Sequence, residues 1–291
     1  MDRNKIIIIG GDLRFVYLAN LLAKENKSVS VWGINHELLS SDIKKIDNIN
    51  GELEHSIIIL PIPVSKDKKN IFTPFYDKTV SINEVINKIN LNNIIIGGVI
   101  NDKVKTKLEQ FNNHIYDLAN DDEFALYNAI PTGEGVVDIL MHKSDITIYG
   151  SKNLILGFGK CGIIQAKILK SLGAQVGVVA RNPSQLALAR VNGYYTCNFD
   201  EIENAIKDYD FIINTIPAKR ITEDMLIKIN KPIIVIDIAN QLEDKVINNN
   251  IIIINARGIP GKYSPKSASE IIYKILVEKN LLNYELNSYS D

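Results

Sequence analysis

Residues 153–185 read NLILGFGKCGIIQAKILKSLGAQVGVVARNPSQ. Three glycines, Gly157, Gly159 and Gly162, stand in G-x-G-x-x-G order between an apolar run and a helix-like stretch. Gly157 permits a tight turn. Gly159 lets a pyrophosphate approach the backbone, and Gly162 lets the following helix pack closely on the strand. The start of that helix offers free N–H groups and the positive end of its dipole to phosphates. Phe158, Lys160 and Cys161 occupy the other loop positions, and a second apolar run, Val176–Val179, completes the strand–loop–helix–strand context that gives the glycine pattern its meaning. The chemistry this stretch supports is dinucleotide binding.

The second run ends in Ala180-Arg181-Asn182-Pro183-Ser184. An acid here, about 20 residues after the glycines, would accept the ribose hydroxyls of NAD. Arg181 does the reverse, because a guanidinium can take a 2′-phosphate in bidentate fashion. Asn182 and Ser184 can add hydrogen bonds. The expectation is NADP, with a solvated loop arginine as the other reading. Cys161 reads either as a reactive thiol at a helix start or as a small filler beside the cofactor. Cys197 has no basic neighbour in the sequence and reads as core.

Three further strand ends point the same way. INTIPA brings Thr215, Ile216 and Pro217 toward the nicotinamide end, VIDIAN ends at Asn240, and ARGIPGK contains Gly258. Ligands in open α/β sheets bind beyond the carboxyl ends of the strands, and glycines and prolines there suit close backbone approach.

The start of the chain, IIIIGGDLRFVYLANLLAKE, looks similar but is not. Counted from Gly10, the second and third glycine positions are Asp12 and Phe15. An acid would face the pyrophosphate, and a ring would hold helix and strand apart, so no dinucleotide is expected here. Asp12 makes a helix N-cap. Arg14 in the first turn is a seat for a substrate carboxylate, or a solvated arginine beside a capped helix. Pro131-Thr132-Gly133-Glu134-Gly135 reads as a hinge, as a catalytic carboxylate among glycines, or as a helix start with Thr132 as N-cap.

Elements that must position these residues follow from the apolar runs. They are Ile6–Ile9, Val29–Trp32, Ile57–Leu60, Ile94–Ile96, Leu154–Leu156, Val176–Val179, Phe211–Ile213, Ile233–Ile236 and Ile251–Ile254. Each is continuous and mostly rich in β-branched residues, the pattern of strands buried on both faces of a parallel sheet. Helical stretches lie between them, including Leu13–Lys24, Lys103–Phe111, Gly162–Ser171 and Thr222–Ile229. The alternation occurs twice, which predicts an α/β chain of two doubly wound parallel-sheet domains, the second a Rossmann dinucleotide-binding domain. The expected layout is an N-terminal substrate or partner domain over 1–120, a helical junction over 121–150 and the cofactor domain over 151–266. An amphipathic helix over 267–282 packs back toward the first domain, and a frayed tail follows Leu282.

Bulk properties exclude several classes. The 291 residues suit two domains. A net charge of −1 gives no electrostatic case for nucleic acid or an anionic membrane. Two cysteines build no disulfide framework, and His36, His55, His114 and His142 show no metal-ligand spacing, so no metal is expected. Apolar runs fall short of the roughly 20 residues that span a bilayer, and no signal-peptide layout opens the chain. The expectation is a cytoplasmic protein.

Seven motifs in order carry a family resemblance: IIGGDLR, the loop ILPIPVS, YNAIPTGEG, GFGKCG, VVARNPSQLA, INTIPA and GIPGKYSPKSASEII. The chain resembles the A-subunit family of dipicolinate synthase from endospore-forming bacteria, from the first strand to the last helix. The resemblance implies an NADP-dependent oxidoreductase that works with the synthase's small, flavoprotein-like B-subunit, with a homo-oligomer also possible. It implies a small dicarboxylate substrate, a dihydrodipicolinate-level ring that is oxidised to dipicolinate in the mother cell during sporulation. On that reaction, Arg14 and Lys266 are candidates for the substrate carboxylates, with Ser65, Thr132 and Ser267 as lesser partners. Glu134 and Asp237 are candidate bases, and Asp237 has the alternative role of stabilising its loop. One departure stands out: a DLAS-x-PGG-like turn is expected where this chain has Asp237-Ile238-Ala239-Asn240-Gln241-Leu242-Glu243. Two other readings compete, a shikimate-dehydrogenase-like enzyme on the same plan and a chain that holds NADP without catalysis.

Overall fold

The computed structural model describes residues 5–47, 53–247 and 249–283. Of the tail beyond Leu282, only Asn283 is among them. The chain separates into two compact units. One runs up to Ala125 and resumes at Ser264; the other is Leu126–Tyr263.

The first unit alternates β1 (Lys5–Ile9), α1 (Leu13–Lys24), β2 (Ser28–Trp32), β3 (Lys44–Ile46), β4 (Ile57–Ile59), α2 (Ile82–Ile86), β5 (Ile94–Gly97), α3 (Asp102–Glu109) and β6 (His114–Asp117). The strands order as β3-β2-β1-β4-β5-β6, all parallel. The isoleucine runs of β1, β4 and β5 pair with one another in register and are almost wholly buried, as a sheet covered on both faces requires. Asp12 caps α1 as its position suggests, accepting from the Arg14 backbone N–H.

The long helix α4 (Asp122–Lys143) leads into the second unit. There follow β7 (Lys152–Leu156), α5 (Lys160–Ser171), β8 (Gln175–Val179), α6 (Pro183–Val191), β9 (Tyr195–Cys197), α7 (Ile202–Ala205), β10 (Phe211–Asn214), α8 (Glu223–Ile227), β11 (Ile233–Asp237), β12 (Lys245–Ile247), β13 (Ile251–Asn255) and α9 (Ile259–Tyr263). The sheet order is β12-β13-β11-β10-β7-β8-β9, parallel except for the antiparallel edge strand β12. Ile155, Val178 and Ile213 are buried on one face of this sheet, and Leu154, Leu156 and Ile212 on the other. Finally α10 (Pro265–Glu278) returns to the first unit and packs on α1.

The structure corrects the reading of Pro131–Gly135. This segment does not start a helix; it is the interior of α4, with Pro131 inside it. Proline removes a backbone N–H there, and the Thr132 hydroxyl donates to the Asn128 carbonyl at 2.7 Å. Both glycines are packing devices. A Cβ on Gly133 would lie 2.4 Å from Ile168 Cδ1, and one on Gly135 would lie 2.2 Å from Ile259 Cγ2. The glycines let neighbouring elements come close to the α4 backbone.

Candidate functional site

In the second unit, strand order reverses between β7 and β10, and the loops that follow these strands splay apart there. A crevice of about 640 Å³ opens at that point. Its walls are Gly157, Phe158, Gly159, Lys160 and Cys161 after β7; Ala180, Arg181, Asn182 and Gln185 after β8; Phe199 after β9; and Thr215, Ile216 and Pro217 after β10. Ten residues expected to hold the cofactor are therefore brought together.

Each glycine has its own geometry. Gly157 sits at φ +91°, where a side chain is strained, and its Cβ would fall 2.7 Å from Thr215 Oγ1. Gly159 faces open space, with nothing within 4 Å of a built Cβ, as an approaching phosphate requires. Gly162 stands behind the wall rather than on it, and a Cβ there would lie 2.1 Å from the Gly157 carbonyl oxygen. Gly159 is the N-cap of α5 and has no side chain to cap the helix, so the N–H groups of its first turn are not bonded by a capping side chain. These features fit a dinucleotide pyrophosphate.

Arg181 is exposed at the rim and has no carboxylate partner among the described residues. Asn182 caps α6, its Oδ1 accepting from the Ser184 N–H at 2.8 Å, which leaves the amide Nδ2 for a ligand. Ser184 itself does not line the crevice, and neither does Gly258, which turns at φ +65° before α9. Burial pushes the Cys161 thiol up to about 11, which favours the neutral thiol and with it the filler reading over the reactive one.

Three lining residues escaped the sequence reading: Ala180, Gln185 and Phe199. Phe199 follows β9, a three-residue edge strand with one exposed and two half-buried residues. Had that strand been recognised, the residues beyond its carboxyl end would have been candidates by the same rule as the others. The Arg220 guanidinium lies 5.4 Å from the centre of the Phe199 ring, within cation–π range.

Beyond β10 and β11 the polar groups serve the fold. Thr215 Oγ1 donates to the Leu156 carbonyl at 2.8 Å, closing the turn over the glycine loop. Asp237 is fully buried and accepts from Asn214 Nδ2 and from the backbone N–H groups of Ala239, Gln241 and Leu242. These bonds give Asp237 a loop-stabilising role, its carboxylate gathering the N–H groups of the loop that lacks the expected glycines.

The other expected substrate residues lie in different surroundings. Arg14 is buried; it pairs with Asp12 at 2.8 Å and donates to the Ile62 carbonyl at 2.6 Å. Its guanidinium thus braces the Pro61–Ser65 loop across the β1–β4 switch point of the first sheet and is not turned to solvent. Ser65 donates to Asp67, whose carboxyl is held well below its ordinary range chiefly by the Asn70 and Lys69 backbone N–H groups. Lys266 and Ser267 are exposed on the first turn of α10, and Lys266 borders a pocket with Tyr17 and Glu270. Glu134 is exposed on α4, and Thr132 is buried. Among the described residues no three His, Cys, Asp or Glu side chains gather as a metal site. No described helix is long and apolar enough to cross a membrane.

A doubly wound domain with this glycine crevice, joined to a second α/β unit, defines a two-domain protein that binds a nicotinamide dinucleotide, of the dehydrogenase type. Residues 5–119 match the family described as the N-terminal domain of the dipicolinate synthase A-subunit, and residues 128–284 match the S-adenosyl-L-homocysteine hydrolase NAD binding domain. The dipicolinate synthase A-subunit of Bacillus subtilis is 28% identical over 280 residues, covering 94% of each chain. The crystal structure of the dipicolinate synthase A-subunit from Bacillus halodurans superposes with a TM-score of 0.83 at 26% identity, over 96% of this chain and 98% of the other. A transhydrogenase from Sinorhizobium meliloti shares the fold at 14% identity, with a TM-score of 0.65 over 94% of this chain and 93% of the other. The chain is thus similar to dipicolinate synthase A-subunits over nearly its whole length, and its second unit matches an NAD-binding domain.

Proposed function

We propose that this chain oxidises a dihydrodipicolinate-level ring to dipicolinate with NADP⁺, acting with the synthase's B-subunit in the mother-cell cytoplasm during sporulation. The observation that carries the cofactor choice is Arg181: an exposed guanidinium at the end of β8, on the crevice wall, where NAD-specific chains place an acid. Asn182 Nδ2 stands beside it as a further donor. When bound, the nicotinamide supplies the acceptor for a hydride from a ring carbon; the neighbouring ring position loses a proton, and the ring becomes aromatic.

The chain's own residues orient and deprotonate. Gly157 and Gly159 admit the pyrophosphate, and Thr215–Pro217 border the crevice. Glu134 is the candidate base with a free carboxylate, since the Asp237 oxygens are taken by four donors. Lys266 and Ser267, both exposed, are candidates for the substrate carboxylates.

The test is one coupled assay. Freshly generated substrate and NADP⁺ are supplied with the B-subunit either present or omitted, while NADPH and dipicolinate are followed together. Coupled appearance of both products, weak with NAD⁺ and reversed in preference by Arg181→Asp, is the expected result. Turnover only when the B-subunit is present would make this chain a dependent catalytic half. Tight NADPH binding without turnover under any pairing would leave it a non-catalytic NADP carrier and remove the enzymatic reading.

A further inference from the structure

The second unit has another cavity, of about 340 Å³, that shares no lining residue with the dinucleotide crevice. It lies between the last two turns of α4 and the segment from β13 through α9. Its polar lining is dominated by cations: Lys143, Arg257 and Lys262, with His142 beside them. The single carboxylate, Asp138, lies 3.4 Å from His142 Nδ1. Lys143 and Lys262 have no acidic partner among the described residues, and Arg257 Nε donates only to the neutral Asn255 side chain at 3.0 Å. In a chain of net charge −1, this is a local excess of positive charge. Like charges brought together without counter-ions repel, so an anion bound among them is stabilised by all three at once.

The rest of the lining narrows the anion. Ile139, Ala256 and Ile259 are buried at the cavity wall, and Tyr263 adds a half-exposed ring. Burial, then the Asp138 charge, push the Tyr263 phenol above its ordinary value, so it stays a neutral donor. An apolar wall with a cationic rim suits a ligand with an apolar body and more than one carboxylate; inorganic phosphate would leave the wall uncovered. We propose that this cavity is a second ligand site, for an apolar-bodied dicarboxylate. Taking an aromatic pyridine dicarboxylate as its occupant rests on the proposed function, and would make the site one where the product acts back on the chain.

The full chain is titrated calorimetrically with pyridine-2,6-dicarboxylate in the presence of saturating NADPH. Binding is expected to weaken at least tenfold in Arg257→Ala/Lys262→Ala and in Lys143→Glu, and to be unchanged in Arg181→Ala titrated without NADPH against wild type under the same condition. NADPH titration of the Arg257→Ala/Lys262→Ala chain reads the crevice separately and is expected to match wild type. Equal dicarboxylate affinity in all variants, no binding to wild type, or inorganic phosphate binding as tightly as the dicarboxylate would overturn the site. Failure of wild type to bind NADPH would instead count against the dinucleotide reading.

Discussion

Asn214 and Asp237 stand opposite each other at the ends of β10 and β11, in register, and the asparagine Nδ2 donates to Asp237 Oδ1 at 2.8 Å. Asn214 Oδ1 in turn accepts from the Ile216 N–H. The pair fixes the loop that borders the crevice to the loop that follows β11. Removing the Asp237 carboxylate strands four donors, three of them backbone N–H groups. Asp237→Ala is therefore expected to lower unfolding stability by about 3 kcal/mol, read from urea denaturation at constant m-value. If Asp237→Ala instead folded with wild-type stability and only turnover collapsed, Asp237 would be the base after all.

Two glycines of the same loop should separate fold from ligand. Gly162→Ala drives a methyl against the Gly157 carbonyl oxygen at 2.1 Å, backbone against backbone, where no rotamer gives way. A loss of about 2 kcal/mol is expected, within the usual range for overpacking. Gly159→Ala meets open space at an ordinary negative φ, so its thermal midpoint should stay near wild type while NADPH binding weakens at least tenfold. Retained binding in Gly159→Ala would mean that the pyrophosphate does not pass over this residue.

The core strands and the glycine loop were legible because they obey strong local rules. A run such as Ile6–Ile9 or Ile233–Ile236 has no other way to be buried on both sides, and G-x-G-x-x-G between such runs admits few structures. What escaped were β3, β6, β9 and β12, all three or four residues long with exposed positions. All are edge strands, formed by their neighbours rather than by their own pattern. Phe199 was lost with β9. Arg14 and Asp237 each left two readings open for a different reason: a charged residue engaged by partners such as Ile62 or Leu242 looks the same in sequence as one free to meet a ligand. Gly133 and Gly135 misled in the same way, since a glycine that admits a neighbour's side chain and one that permits a bend are written with the same letter.

Cys161 gives a pH prediction. Burial raises its thiol to about 11 from an ordinary value near 9. The folded state therefore favours the neutral thiol. Its contribution to stability is fully present below about 9 and is lost as pH rises from there through about 11, since the unfolded thiol ionises first. Iodoacetamide labelling of Cys161 in a Cys197→Ser background should be slow at pH 8 and climb only toward pH 11. Rapid labelling near neutrality would restore the reactive-thiol reading.

The α4 glycines test the packing account directly. Gly135→Ala places a methyl 2.2 Å from Ile259 Cγ2 and 3.0 Å from the Tyr263 ring. Ile259 is buried and cannot swing into solvent, so a loss of about 2 kcal/mol is expected. An unchanged thermal midpoint would show that α9 yields freely and that the glycine serves another purpose.

Glu134, one residue before Gly135, should behave in the opposite way. It is exposed and has no hydrogen bond or ion pair among the described residues, so the fold does not depend on it. Glu134→Gln keeps its shape and removes its ability to take a proton. On the proposed reaction kcat should fall at least a hundredfold, while the thermal midpoint and NADPH affinity stay at wild-type values. A general base also leaves a signature in the pH profile: the acidic limb of kcat should flatten in the glutamine variant, because that limb reports protonation of the base. A hundredfold loss with the acidic limb intact would assign the deprotonation to another group and leave Glu134 a binding residue. Full activity would exclude Glu134 from the reaction and leave Asp237 as the remaining candidate base from this chain, one whose carboxylate would have to give up its present donors before it could act.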